Sequence, residues 1–192
     1  MADTNKVRFG LSNLYFGTYT VGTTGTVTLG SPFAVPGAVS LNLDPDTEET
    51  VFWADDVKYY VTNADNGFTG EVEVAAFTDE FKTTFMNYLT LSDGGIAQIK
   101  GMDNKTCYIM FQSEGDAQKR RGILYNVSLG QISRNYQTLE GTKEPQTATL
   151  SITVTGDNTT GITRTSYTEA ASGYSTLFTN PPAPALPSAT TT

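Results

Sequence analysis

Val39-Ser-Leu-Asn-Leu-Asp-Pro-Asp-Thr-Glu-Glu-Thr-Val-Phe-Trp-Ala-Asp-Asp-Val57 is the stretch on which the reading of this chain turns. It begins with alternation: Val39, Leu41 and Leu43 are apolar, Ser40, Asn42 and Asp44 polar, the period of two expected of a strand with one wet face. It then carries six acids, Asp44, Asp46, Glu48, Glu49, Asp55 and Asp56, and no base. A run of like charge reads as a solvated loop or tail, yet Val51, Phe52 and Trp53 lie inside it, which a disordered tail would lack. The expectation is a long acidic loop over about 43–57, set between two strands, with its apolar groups covered by protein.

The same alternation recurs along the chain. Val72, Val74 and Ala76 alternate with Glu71, Glu73 and Ala75, and Leu150, Ile152 and Val154 with Ser151, Thr153 and Thr155. Cys107 to Phe111 is apolar on both faces, which suits a central strand. Further strands are expected at Leu14 to Thr20, Thr26 to Leu29, Val51 to Trp53, Val57 to Thr62, Ile123 to Ser128 and Ile162 to Tyr167. Turn residues punctuate them at Gly22 with Gly25, Pro36 with Gly37, Asn66 with Gly67, Gly115 with Asp116, and Gly156 to Asn158. One helix is expected over about 79–89, where Phe81, Phe85 and Leu89 fall at helical spacing and Thr78 or Asp79 caps the start. The whole reads as mainly β, a sandwich or barrel with one flanking helix.

Composition agrees. Hydrophobic residues make up 38% of 192, below the globular average, while threonine fills 32 positions and glycine 18, a bias toward strands and turns. One domain over 1–178 fits this length. The prolines at 181, 182, 184 and 187 are half of all eight and introduce a Pro/Thr-rich arm over 179–192. The opening Met1 to Lys6 has no signal-peptide core, and no run approaches the ~20 apolar residues of a membrane span, so synthesis and assembly in a cytoplasm are expected.

Catalytic chemistry finds little to work with. There is no histidine, hence no Ser-His-Asp or Cys-His arrangement, and the lone thiol, Cys107, sits in an apolar run where a buried structural role is expected. Asp44, Asp46 and Glu48 are spaced like the first ligands of a calcium loop, but Glu49 stands where that loop needs glycine and Asp55 where it needs glutamate. Adjacent Asp55 and Asp56 would point to opposite faces of a strand, unlike the facing carboxyls of a glycosidase. Phosphate-binding glycine motifs are missing too. No enzyme, no metal and no cofactor are expected. Net charge is −8, so the chain as a whole repels nucleic-acid phosphates.

Several segments taken in order carry a resemblance. Asn5-Lys-Val-Arg-Phe-Gly-Leu-Ser-Asn-Leu-Tyr-Phe16, Pro36 to Pro45, Phe52-Trp-Ala-Asp-Asp56, the turn Asn66-Gly-Phe-Thr-Gly70, Asp79-Glu-Phe81, Glu114-Gly-Asp116 leading to Arg121, Leu124-Tyr-Asn126, and Glu144-Pro-Gln-Thr147 resemble the major tail proteins of long-tailed, non-contractile bacteriophages. The match covers roughly 5–155, and the chain departs from it beyond Gly156. The resemblance implies a tail-tube β fold, six copies closing into a ring, rings stacking into the hollow tube of a virion tail, and DNA passing through during genome ejection. It implies partners as well: copies of itself and other tail proteins such as tape measure, distal tail and terminator proteins. DNA would pass without specific binding, and no membrane is involved.

Within that family the stretch Leu43 to Val57 resembles the loop that reaches the adjacent ring. This makes Asp44, Asp46, Glu48, Glu49, Phe52, Trp53, Asp55 and Asp56 its inter-ring residues. An acidic lumen would let DNA slide, and Glu71 and Glu73 are candidates to line it; an outward, solvent-facing position is the equal alternative. Lys119, Arg120 and Arg121 are candidate subunit contacts, with a solvated hairpin tip as the alternative. The runner-up function, of another class, is a monomeric β-sandwich module on a virion or cell surface that recognises carbohydrate through an exposed Trp53 and tyrosines.

Overall fold

The run Cys107-Tyr-Ile-Met-Phe111 falls where the sequence places it, in a strand at the heart of the protein (β8, Cys107–Ser113), with Cys107, Tyr108, Ile109 and Met110 all fully buried. A computed structural model describes residues 10–115, 118–136, 138 and 146–187. Before β8 come β1 (Leu11–Val21), β2 (Val27–Leu29), β3 (Phe33–Ala34), β4 (Ala38–Ala54), β5 (Val57–Val74), α1 (Asp79–Phe85), β6 (Leu89–Thr90) and β7 (Ile96–Ala97). After it follow β9 (Arg121–Arg134), β10 (Ala148–Val154) and β11 (Arg164–Tyr167). The fold is mainly β. One antiparallel sheet runs in the order β2-β1-β8-β9-β10-β5-β4, with β3 on β1, β11 on β9, and β6 and β7 paired separately.

The sheet curls until β1 and β4 approach each other, but they do not pair, so no barrel closes. Its inner face carries the main core. Phe16, Ile109, Leu124, Leu150, Val72 and Val74 pack there against Phe77, the helix residues Phe81 and Phe85, and the C-cap residue Met86. The rings of Phe16 and Phe81 meet edge-on at 5.0 Å. Burying side chains of this size contributes about 1.5–3 kcal/mol each, enough to hold a helix of two turns that would not survive alone.

Helix α1 starts as expected: the Thr78 hydroxyl accepts from the Phe81 N–H at 3.2 Å, and Asp79 and Glu80 sit at the positive end. It ends earlier than expected. Asn87 takes a left-handed φ of 53°, which breaks the ladder, so Leu89 leaves the apolar stripe, enters β6 and lies exposed.

The acidic segment is where the structure departs furthest from the sequence reading. Residues 43–57 are not a loop. β4 and β5 form one hairpin of 17 and 18 residues, closed at Ala54↔Val57 by Asp55 and Asp56, both at positive φ (51° and 58°), as a two-residue hairpin turn requires. Asn66-Gly67 is likewise not a turn. β5 continues through it with a bulge, Asn66 and Gly67 standing opposite Asp46, and Gly67 (φ 98°) is needed there because a Cβ would lie 2.0 Å from the Val154 carbonyl oxygen. Val39 was expected on the apolar face; an irregularity between Ala38 and Ser40 turns it outward, 51% exposed.

Candidate functional site

Two surfaces stand out, and both grow from the β9-β10-β5-β4 part of the sheet. Strand alternation sorts five neighbouring rows of cross-strand partners by face. On the inner side Ile132, Leu150, Val72 and Leu41 stand in register, followed by Leu129, Ile152, Gly70 and Leu43. On the outer side the interleaved rows are Ser133, Thr149, Glu73 and Ser40; Ser151, Glu71 and Asn42; and Ser128, Thr153, Thr69 and Asp44. Every outer position is polar, three are acids, and none is a base. Glu71 and Glu73 therefore share one wall with Asp44. Glu73 is half-buried because its carboxylate accepts from Ser40 Oγ at 3.2 Å and Thr147 Oγ1 at 2.5 Å, whereas Glu71 is exposed. Such a wall repels phosphates over the ~8 Å Debye length of physiological salt.

The second surface is the hairpin itself. β5 pairs with β10 only from Phe68 to Val74; below Phe68 it pairs with β4 alone, so the ribbon leaves the body as two unsupported strands. Pro45 is tolerated because β4 is the edge of the sheet. Asp44, Glu48, Glu49, Asp55 and Asp56 are exposed and Asp46 is half-buried. The ribbon's ion pair among the described residues, Lys58 Nζ to Glu49 Oε1 at 3.3 Å, is itself half exposed and contributes at most about 1 kcal/mol.

Against expectation, the described residues leave the apolar tip uncovered. Phe52, Trp53, Tyr59 and Tyr60 are 60%, 59%, 72% and 60% exposed. Lys58 approaches the Trp53 ring at 5.9 Å and Tyr59 meets Phe52 edge-on at 6.5 Å; these contacts leave most of the aromatic surface in water. A two-stranded ribbon is marginal by itself.

The basic cluster is largely occupied within the chain. Arg121 lies between the rings of Tyr174 (4.0 Å) and Phe178 (4.5 Å), donates from Nη1 to the Tyr174 carbonyl at 2.6 Å and from Nε to Gln112 at 3.0 Å. Arg120 reaches Gln118, and Lys119 lies 3.7 Å from Glu169. Asp116, the turn partner of Gly115, lies outside the described residues.

Sequence reasoning gave the end of the chain no role, since it resembles nothing beyond Gly156. The structure makes it a strap. Residues 157–182 pair with β9 as β11 over 164–167 and beyond it cross the outer face of β1, β8 and β9, where Tyr19, Tyr108, Met110, Ile123 and Tyr125 form a second core closed by Leu177. Tyr108 lies across Gly17, where a Cβ would fall 2.2 Å from its ring, and donates to the Gly30 carbonyl at 2.6 Å. Tyr125 donates to the Pro182 carbonyl at 3.0 Å, holding the start of the proline-rich arm. The arm has no regular secondary structure through 187, and 188–192 lie outside the described residues. Asp157, 2% exposed, accepts from Tyr19 Oη and from the backbone N–H and hydroxyl of Thr160, each at 2.7 Å. The signal that could have located the strap is its aromatic spacing, Tyr167, Tyr174 and Phe178, in a segment otherwise polar.

Cys107 is buried and its thiol is pushed up to about 12 by burial, so it is no nucleophile at neutral pH. Among the described residues no three metal-ligating side chains converge, and no helix is long and apolar enough to cross a membrane.

No protein-family model matches this chain, and no curated protein matches it. Among solved structures it is similar to the cryo-EM structure of the anti-feeding prophage cap, described as the tube terminating cap, at 12% identity over 87% of this chain and 97% of that one, with a TM-score of 0.47. A likeness that distant gives no residue of this chain a role.

Proposed function

We propose that this chain is a structural subunit of the tail tube of a long-tailed, non-contractile phage, without catalytic activity. Six copies close into a ring, rings stack, and DNA leaves through the bore. One observation carries the reading: an outer sheet face whose three polar rows hold three acids and no base continues into an edge-strand ribbon whose aromatic tip the described residues leave uncovered. The polar face has the chemistry of a wall along which DNA slides without sticking. The ribbon needs a second protein surface to bury its aromatics, and a stacked ring supplies one. The ordered resemblance over roughly 5–155 supports the same assignment. Assembly in the host cytoplasm, with tape measure, distal tail and terminator proteins as neighbours in the virion, follows from it.

The test is negative-stain microscopy of the concentrated protein together with size-exclusion chromatography. Rings or hollow tubes are the expected result; a chain that stays monomeric at every concentration contradicts it. Exposure of Trp53, Tyr59 and Tyr60 also favours a carbohydrate-binding module, in which aromatic faces stack on sugars. Binding on a glycan array by a monomer would establish that function instead.

A further inference from the structure

The cleft between α1 and the end of β9 holds about 520 Å³ and is walled by Lys82, Tyr88, Ile96, Ile132, Arg134 and Tyr136, a size that admits a large side chain. Its cations are not equivalent. Lys82 is buried and its ammonium is tied to Asp79, whose carboxyl that bond holds below the usual range, so the two cancel. Arg134 stands at the last position of β9, on the helix side of the sheet opposite Ala148, exposed, with a side-chain bond to the Tyr136 hydroxyl of 3.5 Å. The cleft therefore offers a guanidinium charge in a mixed lining, with Tyr88, Tyr136, Ile96 and Ile132 beside the polar Gln98 and the Lys82–Asp79 pair.

The hairpin tip offers the complement: Asp55 and Asp56 at the apex, flanked by Phe52, Trp53, Tyr59 and Tyr60. Two such ribbons cannot pair with each other, because each carries six acids against Lys58 and like charges repel. The cluster at 119–121 is a poor acceptor, since Arg121 is already held between two rings and bonded to two residues.

We propose that the cleft beside Arg134 receives the β4–β5 hairpin tip of a second copy of this chain, carboxylates on the guanidinium and aromatic rings on the cleft walls. This rests on the self-assembly reading above. The test uses the full chain. Two chains with one added cysteine each, Asp56→Cys and Tyr136→Cys, are mixed under mild oxidation; Cys107 is buried and does not compete. A mixed disulfide dimer exceeding either homodimer is expected. In parallel, Arg134→Glu and the turn-compatible pair Asp55→Asn and Asp56→Asn each raise the concentration needed for assembly about tenfold, with unchanged circular dichroism. If the wild type assembles but no mixed disulfide forms, or both variants assemble at the wild-type concentration, the docking proposal is overturned while the tube reading stands. A wild type that neither assembles nor crosslinks overturns both. Should Arg134→Glu fail to fold, Arg134→Gln and the crosslink decide.

Discussion

Replacing Tyr19 by phenylalanine removes a single hydroxyl and tests how the strap is held. That hydroxyl donates at 2.7 Å to Asp157, a carboxylate 2% exposed whose other donors are the N–H and hydroxyl of Thr160. A hydrogen bond to a buried charge is worth about 1.5–3 kcal/mol. For a domain of this size each kcal/mol moves the midpoint by roughly 2–4 °C, so a loss near 2 kcal/mol lowers Tm by about 4–8 °C. The effect carries a pH signature. Burial alone would raise the Asp157 pKa, but the hydrogen bonds from Thr160, Tyr19 and the backbone outweigh it and hold the carboxyl below its ordinary value. A depressed folded pKa contributes stability that is complete above the unfolded value of about 3.9 and fades as pH falls through the folded one. Urea denaturation of wild type and Tyr19→Phe, followed by circular dichroism at pH 7 and pH 3, should show the full gap at pH 7 and a narrower one at pH 3. A gap below about 0.5 kcal/mol at pH 7, or one that widens in acid, refutes the reasoning.

Three further outcomes follow from other parts of the fold. Gly67→Ala forces an L side chain to φ 98° with its Cβ 2.0 Å from the Val154 carbonyl, and chemical denaturation should show a loss well above about 1 kcal/mol. Cys107, its thiol pushed up to about 12, should resist a thiol reagent at pH 8 in the native protein and react at once in denaturant; native reaction within seconds contradicts its burial. Trp53, the chain's one tryptophan and 59% exposed, should emit like a solvated indole in the monomer and shift to the blue on assembly; an unshifted spectrum in assembled protein removes the tip from the contact.

Strands with one wet face were legible because a period of two survives any tertiary context that buries a single side of a sheet. Val72, Val74, Leu150, Ile152 and Val154 all point inward as their alternation demands, and the two-sided run at Cys107 is central. The acidic hairpin was not legible, for physical reasons. Its ribbon has no buried face, so neither strand needs alternation, and the turn is built from Asp55 and Asp56, residues that reach positive φ less readily than Asn-Gly and so give a weaker signal. Asn66-Gly67 misled in the opposite sense, since glycine is required there by the close approach of β10, not by a turn. The candidate acids at 71 and 73 lie on one wall, while the basic cluster, read as a subunit contact or a solvated hairpin tip, has intrachain partners that no spacing rule foretells. Long-range contacts such as Arg121 with Tyr174 are 53 residues apart and leave no local trace.

The most direct measurement is a cryo-EM reconstruction of the assembled protein at side-chain resolution. The account predicts a hollow tube whose bore is lined by the outer face of β9, β10, β5 and β4, with Glu71, Glu73 and Asp44 toward the lumen and each hairpin buried against a neighbouring copy. A tube that turns this face outward to solvent, or whose hairpins project freely from its surface, contradicts it.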